Sequence, residues 1–470
     1  MNNSAVIFVL SAALLVSACT LGPDYQRPDT IDTSQLRHQD GWQPVPERSW
    51  AASGSWWQAF DDETLAALIE QSQSANQTLA QAEARYRAAD AQWRLTRGEL
   101  VPEVGASVSA SRGGGNDRSN SSQYDARLQI GWAPDLWGRV RRSIEADQAG
   151  LQASAADLAA ARLAIQVAVA DSYIRLRALD RQQAILRDTL AAFERSATLT
   201  RNQYGAGIVS RSDVIQAETQ LQSVRTDMYD LQAARAREQN ALAALLGVAL
   251  VDLAVAEQDG LPAIPTLPRS LPAVLIARRP DVVSAERQVA AANARIGVAQ
   301  AAWLPDVTLD LWGGVQSGSF SGLFDAPARV WSLGPSLAQT IFDGGRREAT
   351  RDIAVARYDE QAAFYRQTVI DGVRELEDAL ATLQILSEKA GQQAELLDLA
   401  EENERVVNNR YRAGQVSFLE VATAQNITLS ARRVAVDIHA ERLAATVQLA
   451  AIIGGGWDLD DPVVRRVVGE

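Results

Sequence analysis

The sequence predicts a mainly α-helical chain that also carries four membrane β-strands and consists of two structural repeats. Three observations support this fold class: seven-residue apolar repeats over long segments, short segments in which apolar and polar residues alternate, and four sequence blocks that occur twice. With 470 residues, of which 47% are hydrophobic, the chain can also bury a large core.

The two halves of the chain contain the same blocks in the same order, separated by about 200 residues. The blocks of the first half are 82–85, 100–104, 136–139 and 204–218, and their counterparts are 285–288, 303–307, 342–345 and 411–425. Four blocks at a nearly constant offset are hard to obtain by chance. Two copies of one structural unit are therefore predicted.

Each half predicts the same succession of elements, namely a helix, two strands, a very long helix and a last helix. The predicted helices are about 76–99, 139–203 and 210–246, then about 281–301, 346–410 and 417–453. The predicted strands are about 101–112, 122–134, 304–316 and 329–342.

The two very long helices carry an apolar repeat of seven residues, which is typical of helices packed as in coiled coils. It consists of Ile144, Leu151, Leu158, Ile165, Leu179, Leu186 and Phe193, interrupted at Ser172, and of Val355, Ala362, Val369, Leu376, Leu383, Ala390 and Leu397. At ~1.5 Å per residue, about 65 residues make a helix of about 100 Å. Such a length suits a rod or a tube rather than a compact domain.

The predicted strands alternate, as where Ala126, Leu128 and Ile130 enclose Arg127 and Gln129. This pattern fits outer-membrane strands with one face toward lipid, although any half-buried sheet shows it too. Four strands cannot close a barrel, and open edges in hydrocarbon leave backbone groups unpaired, so several chains must share one barrel. Outside the N-terminal leader no stretch approaches ~18 consecutive apolar residues, so no transmembrane helix is predicted.

The N-terminus predicts a signal peptide over residues 1–18, because Val6 to Val16 is an apolar run that is too short to span a bilayer. Val16-Ser17-Ala18 precedes Cys19 in the manner of a lipobox, which predicts a covalent lipid on Cys19. Residues 1–4 contain no Lys or Arg, which departs from the usual leader. An ordinary signal peptide cut nearby is the alternative.

Four tryptophans lie at the ends of the predicted strands: Trp132, Trp137, Trp303 and Trp331. We expect them to form an aromatic girdle at the membrane surface. Packing in an ordinary core is the alternative, and the strand ends together with the lipobox favour the girdle.

Composition argues against several classes of function. The net charge of −13 argues against a nucleic-acid partner, because phosphate binding needs a basic face. One Cys and two His permit no internal disulfide and nearly exclude a zinc site, so neither a metal site nor a cofactor is expected. We find no Ser-His-Asp set and no phosphate-binding glycine loop, so an enzyme is not expected.

Four features resemble the outer membrane factor family, the TolC-like and NodT-type efflux channels. They are residues 19–25 with Arg27-Pro28, Trp56-Trp57, the RRPDV segment at 278–307, and the paired Tyr-x-x-Gly blocks at Tyr204 and Tyr411. The resemblance implies a homotrimer with one twelve-stranded β-barrel, four strands per chain, continued by a long periplasmic α-helical barrel. It also implies a division into an anchor and N-terminal belt segment (19–60), two repeats (61–260 and 261–457) and a tail (458–470). Parts of these segments, residues 28–60, 248–275 and 455–470, would form an equatorial belt around the tube.

The function implied by this resemblance is that of the outer-membrane channel in a tripartite efflux system of a Gram-negative bacterium. Such a channel contacts outer-membrane lipid and works with a periplasmic adaptor and an inner-membrane pump, often of the RND class. It conducts drugs, toxic solutes or metals. A type I protein-secretion duct and a structural coiled-coil lipoprotein are the alternatives.

The resemblance also implies a gate at the periplasmic tip, formed by the Tyr-x-x-Gly turns. The turns would depend on Gly207 and Gly414, and the next helices would be capped by Ser210 and Ser417. A latch would be formed by Asp213 and Tyr411. The constriction would consist of Leu419, Glu420 and Thr423. Val416 and Thr423 stand where some members have a latch Arg and an inner Asp, which predicts fewer ionic contacts. A simple capping role for Ser210 and Asp213, and a solvated surface role for Glu420, are the alternatives.

Overall fold

The computed structural model describes residues 20–31, 55–115, 118–265, 276, 278–325, 328–453 and 455. The predicted signal peptide, the predicted lipidation site Cys19 and the predicted tail 458–470 lie outside the described residues.

The two halves of the chain fold into the same series of elements. The first contains α2 (Gln77–Gly98), β1 (Glu103–Gly115), β2 (Arg118–Trp132), α3 (Arg139–Gly205) and α4 (Arg211–Leu246), preceded by a 3-10 helix (Trp56–Phe60) and α1 (Glu63–Ala75). The second contains α5 (Pro280–Ala301), β3 (Asp306–Ser317), a 3-10 helix (Ser321–Phe324), β4 (Arg329–Ala338), α6 (Arg346–Arg412) and α7 (Phe418–Ile452). Both long helices have 67 residues, so each is about 100 Å long.

The strand bounds differ from the predicted ones for identifiable reasons. β3 begins at Asp306 because Pro305 before it has no N–H to donate to a ladder. Ala338 is the last residue of β4 and pairs with Asp306, so the predicted continuation to 342 has no partner strand. In the first hairpin, the segment predicted as a loop continues the two strands to Gly115 and from Arg118.

The four strands form one antiparallel sheet in the order β1-β2-β3-β4. Its register joins the apolar positions across all strands, as in the pairs Val104–Ile130, Ile130–Leu311 and Leu311–Leu333. The intervening positions place Ser107 opposite Arg127 on the other face. One face of the sheet is therefore apolar and the other polar, as the alternation predicted.

The predicted heptad positions lie on the packed faces of the long helices. In α3 they are buried or half-buried, and Ser172, which interrupts the repeat, is also buried and donates to Glu238 Oε2 at 3.1 Å. In α6 they are buried or half-buried except Val355, which is 37% exposed. The coiled-coil pattern thus identified the contact surfaces of both helices.

Helix α3 also contains an apolar 18-residue window, and it is the one helix in the described residues that is long and apolar enough for a membrane span by length and composition. Half of that window is buried inside the chain. Helix α3 packs against α2, α4, α5 and α7. We attribute the apolar composition to this packing rather than to lipid contact.

The main core lies midway along α3. It joins the 3-10 helix and α1 to α3, α4 and α7, with the residues Trp56, Trp57, Phe60, Leu65, Leu68, Ile69, Val169, Ala170, Tyr173, Ile174, Leu242, Leu246, Leu443, Val447 and Ala450. Beside this core, Asp180 accepts hydrogen bonds from Arg177 at 3.0 Å and Arg235 at 2.6 Å. These two arginines also donate to the carbonyls of Ala256 and Val255, which fastens the segment after α4 to the bundle.

Residues 20–31, called the strap below, run across α3, α5 and α6 without regular secondary structure. Arg142 of α3 is 5% exposed and donates to the carbonyls of Leu21 (3.0 Å) and Gly22 (3.2 Å) and to Asp24 (3.0 Å). A Cβ on Gly297 of α5 would lie 2.7 Å from the Leu21 carbonyl oxygen, so the close approach of strap and helix requires glycine there.

Further contacts continue the strap onto the second repeat. Asn293 of α5 donates to the Pro23 carbonyl at 2.8 Å. Arg27 then donates to the hydroxyl of Tyr365 in α6 at 2.7 Å. The strap therefore connects both repeats below the sheet.

Replacing Arg142 by Ala should release the N-terminal half of the strap. The variant removes the donor from two part-buried carbonyls, and an intramolecular hydrogen bond contributes about 0.5–1.5 kcal/mol, or more where the donor is charged. Hydrogen exchange of the strap amides is expected to be at least about tenfold faster than in the unaltered protein.

Arg351→Ala is the matched control for this experiment, because Arg351 forms an exposed pair with its neighbour Asp352. It is expected to leave strap exchange unchanged. Equal protection of the strap in Arg142→Ala and in the unaltered protein would show that Arg142 does not hold it.

Candidate functional site

The turns α3–α4 and α6–α7 lie at the end of the long helices opposite the sheet, and both have the same backbone. Gly207 (φ 74°) and Gly414 (φ 70°) follow the helix ends in the left-handed conformation, which favours glycine. The N–H groups of Ile208 and Gln415 donate back to the carbonyls of Gln203 and Arg410, both at 2.9 Å. This is the Schellman arrangement, which satisfies the last helical carbonyls.

The helix caps that follow these glycines differ between the turns. Ser210 Oγ accepts the N–H of Asp213 at 3.3 Å, and Asp213 Oδ2 accepts the N–H of Ser210 at 3.0 Å, which together form a capping box. Ser417 occupies the same position before α7, but its side chain makes no capping hydrogen bond. Glu420 stands where Asp213 stands in the first turn, and it is exposed.

The predicted latch residues Asp213 and Tyr411 are each hydrogen-bonded to another residue. The hydroxyl of Tyr411, which is 4% exposed, pairs with Thr200 Oγ1 of α3 at 2.9 Å, while Asp213 is engaged with Ser210. Burial raises the pKa of Tyr411 above its usual value; the Thr200 hydrogen bond opposes this shift and the charge of Asp213 adds to it. Within the chain, Thr200 therefore takes the place predicted for Asp213, and Asp213 acts on Tyr411 only through its charge.

Thr200 was not among the predicted site residues. The signal that could have identified it is its position on the buried stripe of α3, one turn beyond Ala197 and two beyond Phe193. That stripe indicates burial, but it does not indicate which residue of another helix meets the hydroxyl.

Around Tyr411, all four helices of the two turns pack into one apolar cluster, called the tip cluster below. Its buried members are Ala197 of α3, Ala217 of α4, Val407 and Tyr411 of α6, and Phe418, Val421, Ala422 and Ala424 of α7. The rings of Tyr411 and Phe418 meet edge to face with centroids 5.7 Å apart. The two helical hairpins are therefore held together at this end.

The predicted constriction residues lie on the opposite face of α7 from the tip cluster. Leu419 is 56% exposed, and Glu420 and Thr423 are also exposed. Thr423 donates to the carbonyl of Leu419 at 2.8 Å, so its hydroxyl is satisfied within the helix. The exposed face continues one turn further to Asn426, which pairs with Gln220 of α4.

The predicted aromatic girdle is distributed over both ends of the sheet. At the end nearer the long helices, Trp132 is 37% and Trp303 is 43% exposed, while at the far end Trp331 is 76% exposed. Trp137 is half-buried and donates to the Pro305 carbonyl at 2.7 Å. That contact joins the two repeats, so Trp137 has a packing role that the girdle prediction did not include.

Three aromatic residues at the far end of the sheet were not predicted. Tyr124 and Phe324 each meet Phe320 edge to face, with centroids 6.0 and 6.3 Å apart, and Phe320 and Phe324 are largely exposed. Tyr124 shares the alternation of the apolar face and could have been found from it, whereas Phe320 and Phe324 lie in the connection between β3 and β4, where no alternation marks them. From Tyr124 to Trp132, β2 extends about 26 Å, close to the height of an outer-membrane apolar band.

The polar face of the sheet carries a charged and aromatic cluster. Arg127 lies over the Trp312 ring at 4.7 Å from its centroid and donates to Gln316 at 3.2 Å. Asp125 lies 3.6 Å from the Arg127 guanidinium and accepts from Ser109 at 2.8 Å. This face is suited to water and not to lipid.

Comparisons with known proteins agree with this architecture. The family model described as outer membrane efflux protein matches residues 68–248 and 271–455. The toluene efflux pump outer membrane protein TtgC of Pseudomonas putida is 30% identical over 465 residues, which cover 97% of this chain and 96% of that protein. The cation efflux system protein CusC of Escherichia coli is 29% identical over 450 residues, which cover 95% and 97%.

A solved structure extends the likeness to three dimensions. The outer-membrane channel OprN superposes with a TM-score of 0.87 at 33% identity, covering 93% of this chain and 100% of that chain. The predicted fold class, with long helices of a channel and strands of a membrane barrel, is thereby confirmed. The chain belongs to the outer membrane efflux protein family, and it acts in the outer membrane of a Gram-negative bacterium as the channel component of an efflux pump.

Proposed function

We propose that three copies of this chain form one duct whose periplasmic gate lies at the α3–α4 and α6–α7 turns. The tip cluster is the observation that supports this gate. In it the two hairpins meet at the end of the 67-residue helices that is farthest from the sheet. A partner that separates the hairpins would open this end of the duct. The partners are a periplasmic adaptor and an inner-membrane pump, most simply of the RND class.

Two unpartnered surfaces support the trimer. In the single chain, β1 and β4 each pair with one neighbour, and open strand edges in hydrocarbon cost several kcal/mol for each unpaired group. Helix α6 exposes large apolar side chains such as Phe364 (54%), Ile385 (62%) and Leu399 (64%). Further copies of the chain would close the sheet into a barrel and cover α6.

The cargo is a class of small solutes that the pump selects. TtgC is named for toluene and CusC for cations, and both are similar to this chain over nearly its whole length. One duct architecture thus serves chemically different cargo, so we assign drugs, toxic solutes or metal ions to this chain without preference.

The strap supports a lipid anchor on Cys19. Thr20 packs on Gly138, where an added Cβ would lie 2.4 Å from the threonine methyl group, and the Leu21 N–H donates to the Trp137 carbonyl at 3.4 Å. Cys19 directly precedes Thr20, so acyl chains on Cys19 would start at the aromatic end of the sheet nearer the long helices. A lipid there would enter the periplasmic leaflet of the outer membrane.

The constriction would be mainly apolar. Leu419 is the exposed apolar residue nearest the α6–α7 turn on α7, and three copies around an axis would form a ring. Three copies of Glu420 beside it would favour cations. Gly207, Gly414 and the Ser210–Asp213 cap would give the turns their shape.

Leu419→Ala tests the constriction. Shortening three side chains in a ring should raise the single-channel conductance in a planar bilayer by roughly twofold or more. Ile215→Ala in α4 is the control, because Ile215 is similarly exposed at 54% and lies on the other hairpin. Unchanged conductance in Leu419→Ala, with the oligomer intact, would place the constriction elsewhere.

Tyr411→Phe tests the contact that joins the hairpins. Loss of the hydroxyl removes the hydrogen bond to Thr200, which contributes about 0.5–1.5 kcal/mol, so the open fraction should rise about two- to tenfold in single-channel records. Thr200→Val should have the same effect, and the double variant should add little.

The repeat supplies the matched control for this experiment. Tyr204 is the counterpart of Tyr411 in the first turn and is 43% exposed, so Tyr204→Phe should leave gating unchanged. If Tyr204→Phe and Tyr411→Phe open the channel equally, the Thr200 contact is not what holds the tip closed.

A further inference from the structure

Each helical hairpin is cross-linked internally by ion pairs. In the first hairpin (α3 and α4) these pairs are Arg175–Glu238 (3.4 Å), Arg201–Glu218 (2.8 Å), Arg225–Glu194 (3.0 Å) and Arg235–Asp180 (2.6 Å). In the second hairpin (α6 and α7) they are Lys389–Glu441 (3.3 Å) and Arg432–Glu401 (2.8 Å). Several pairs along one helix contact hold two helices in register.

The contact between the hairpins, called the seam below, has a different composition. Helix α7 packs on α3 and α4 through an apolar cluster that includes Phe193, Leu231 and Leu429. Across the described parts of these three helices, no ion pair joins α7 to α3 or α4. The polar contacts of the seam instead have at least one uncharged partner.

Apart from the Thr200–Tyr411 hydroxyl pair between α3 and α6, amide side chains make the polar contacts of the seam. Gln182 of α3 donates to Asp437 of α7 at 2.5 Å, and Gln448 of α7 donates to Asp171 of α3 at 3.3 Å. Nearest the tip, Gln220 of α4 and Asn426 of α7 bond in both directions, with Asn426 Nδ2 lying 3.3 Å from Gln220 Oε1. Each amide uses one N–H and its carbonyl oxygen in this pair, and its second N–H is left to water.

The Gln220–Asn426 pair lies where a gate contact would be needed. Asn426 follows Thr423 by one helical turn and Leu419 by two, so the three share the exposed face of α7. Asn426 is exposed, Gln220 is half-buried and the bond between them is exposed, so water can replace each partner when the helices separate. The pair can therefore break and re-form without leaving a buried polar group unpaired.

We propose that the reciprocal Gln220–Asn426 amide pair is an uncharged lock that holds α4 against α7 in the closed channel. This inference rests on the proposed gate and adds Gln220 and Asn426 to the residues that keep that gate closed. The hairpins would move as units, held by their internal ion pairs, while the seam between them parts at this lock.

Replacing both amides by carboxylates tests the lock. Gln220→Glu with Asn426→Asp places two carboxylates in contact, and their repulsion should raise the open fraction in 0.1 M KCl about tenfold or more over the unaltered channel. In 1 M KCl the ratio should fall, because the Debye length falls from about 10 Å to about 3 Å, but it should stay above one, because two carboxylates cannot replace the amide hydrogen bonds. Each single variant should gate normally, because a carboxylate still accepts a hydrogen bond from the remaining amide.

The control variant Gln222→Glu with Ser430→Asp adds the same charges at exposed positions of the same two helices. It should gate as the unaltered channel does. If the Gln220→Glu/Asn426→Asp channel matches this control in 0.1 M KCl, the lock is refuted.

A cysteine pair covers the case in which the charged variant fails to assemble. Gln220→Cys with Asn426→Cys, once oxidised in cells, should abolish efflux of a dye substrate, and reduction should restore it. Efflux that persists with the disulfide formed would overturn the proposal.

Leu419→Ala separates the lock from the gate itself. If Leu419→Ala raises the conductance while the Gln220/Asn426 variants do nothing, the gate stands and the lock is wrong. If neither changes the channel, the gate is not at this end of the helices.

Discussion

The lateral packing of α3 is the constraint on which the rest of the structure depends. This helix contacts α1, α2, α4, α5 and α7, so it belongs to the core of both repeats at once. Small residues such as Ala146, Ala156 and Ala170 are fully or nearly buried along it and let neighbouring helices approach closely. Among the helices, α6 packs mainly against α5 and α7, and it keeps large apolar side chains exposed. The chain is therefore complete around α3 and incomplete beside α6.

The turns of the two repeats share one backbone conformation but differ in the contacts of their side chains. Both turns have the same glycine conformation, but Tyr204 is exposed where Tyr411 is buried, and Ser210 caps its helix where Ser417 does not. A side-chain cap contributes about 1 kcal/mol to helix stability. The start of α4 is thus held more firmly by local interactions than the start of α7, which depends on the tip cluster for its position.

Local patterns predicted the long helices and the strands, because each depends on a short-range rule, an apolar period of seven or two. The family resemblance implied the turn glycines, whose backbone has a positive φ. The local patterns did not predict the Thr200 partner of Tyr411, the path of the strap, or the contact of Phe320 and Phe324 between β3 and β4. The Thr200–Tyr411 contact spans 211 residues of sequence, and which helix faces meet there is decided by the whole bundle. Trp137 shows the same limit, since its strand-end position indicated a girdle but its indole joins the two repeats.

The uneven distribution of charge bears on how such a channel can open. Exposed ion pairs contribute about 0.2–1 kcal/mol each, but several in one hairpin oppose any relative sliding of its helices. The seam depends more on apolar contacts such as those of Phe193, Leu231 and Tyr411. Its amide side chains can exchange their hydrogen bonds for hydrogen bonds to water. Separating the hairpins therefore exposes mainly apolar surface. This exposure costs free energy unless a partner covers the surface. A ligand shifts an equilibrium only by its difference in affinity for the two states, so a partner that opens the proposed gate must bind the separated hairpins more tightly than the closed ones.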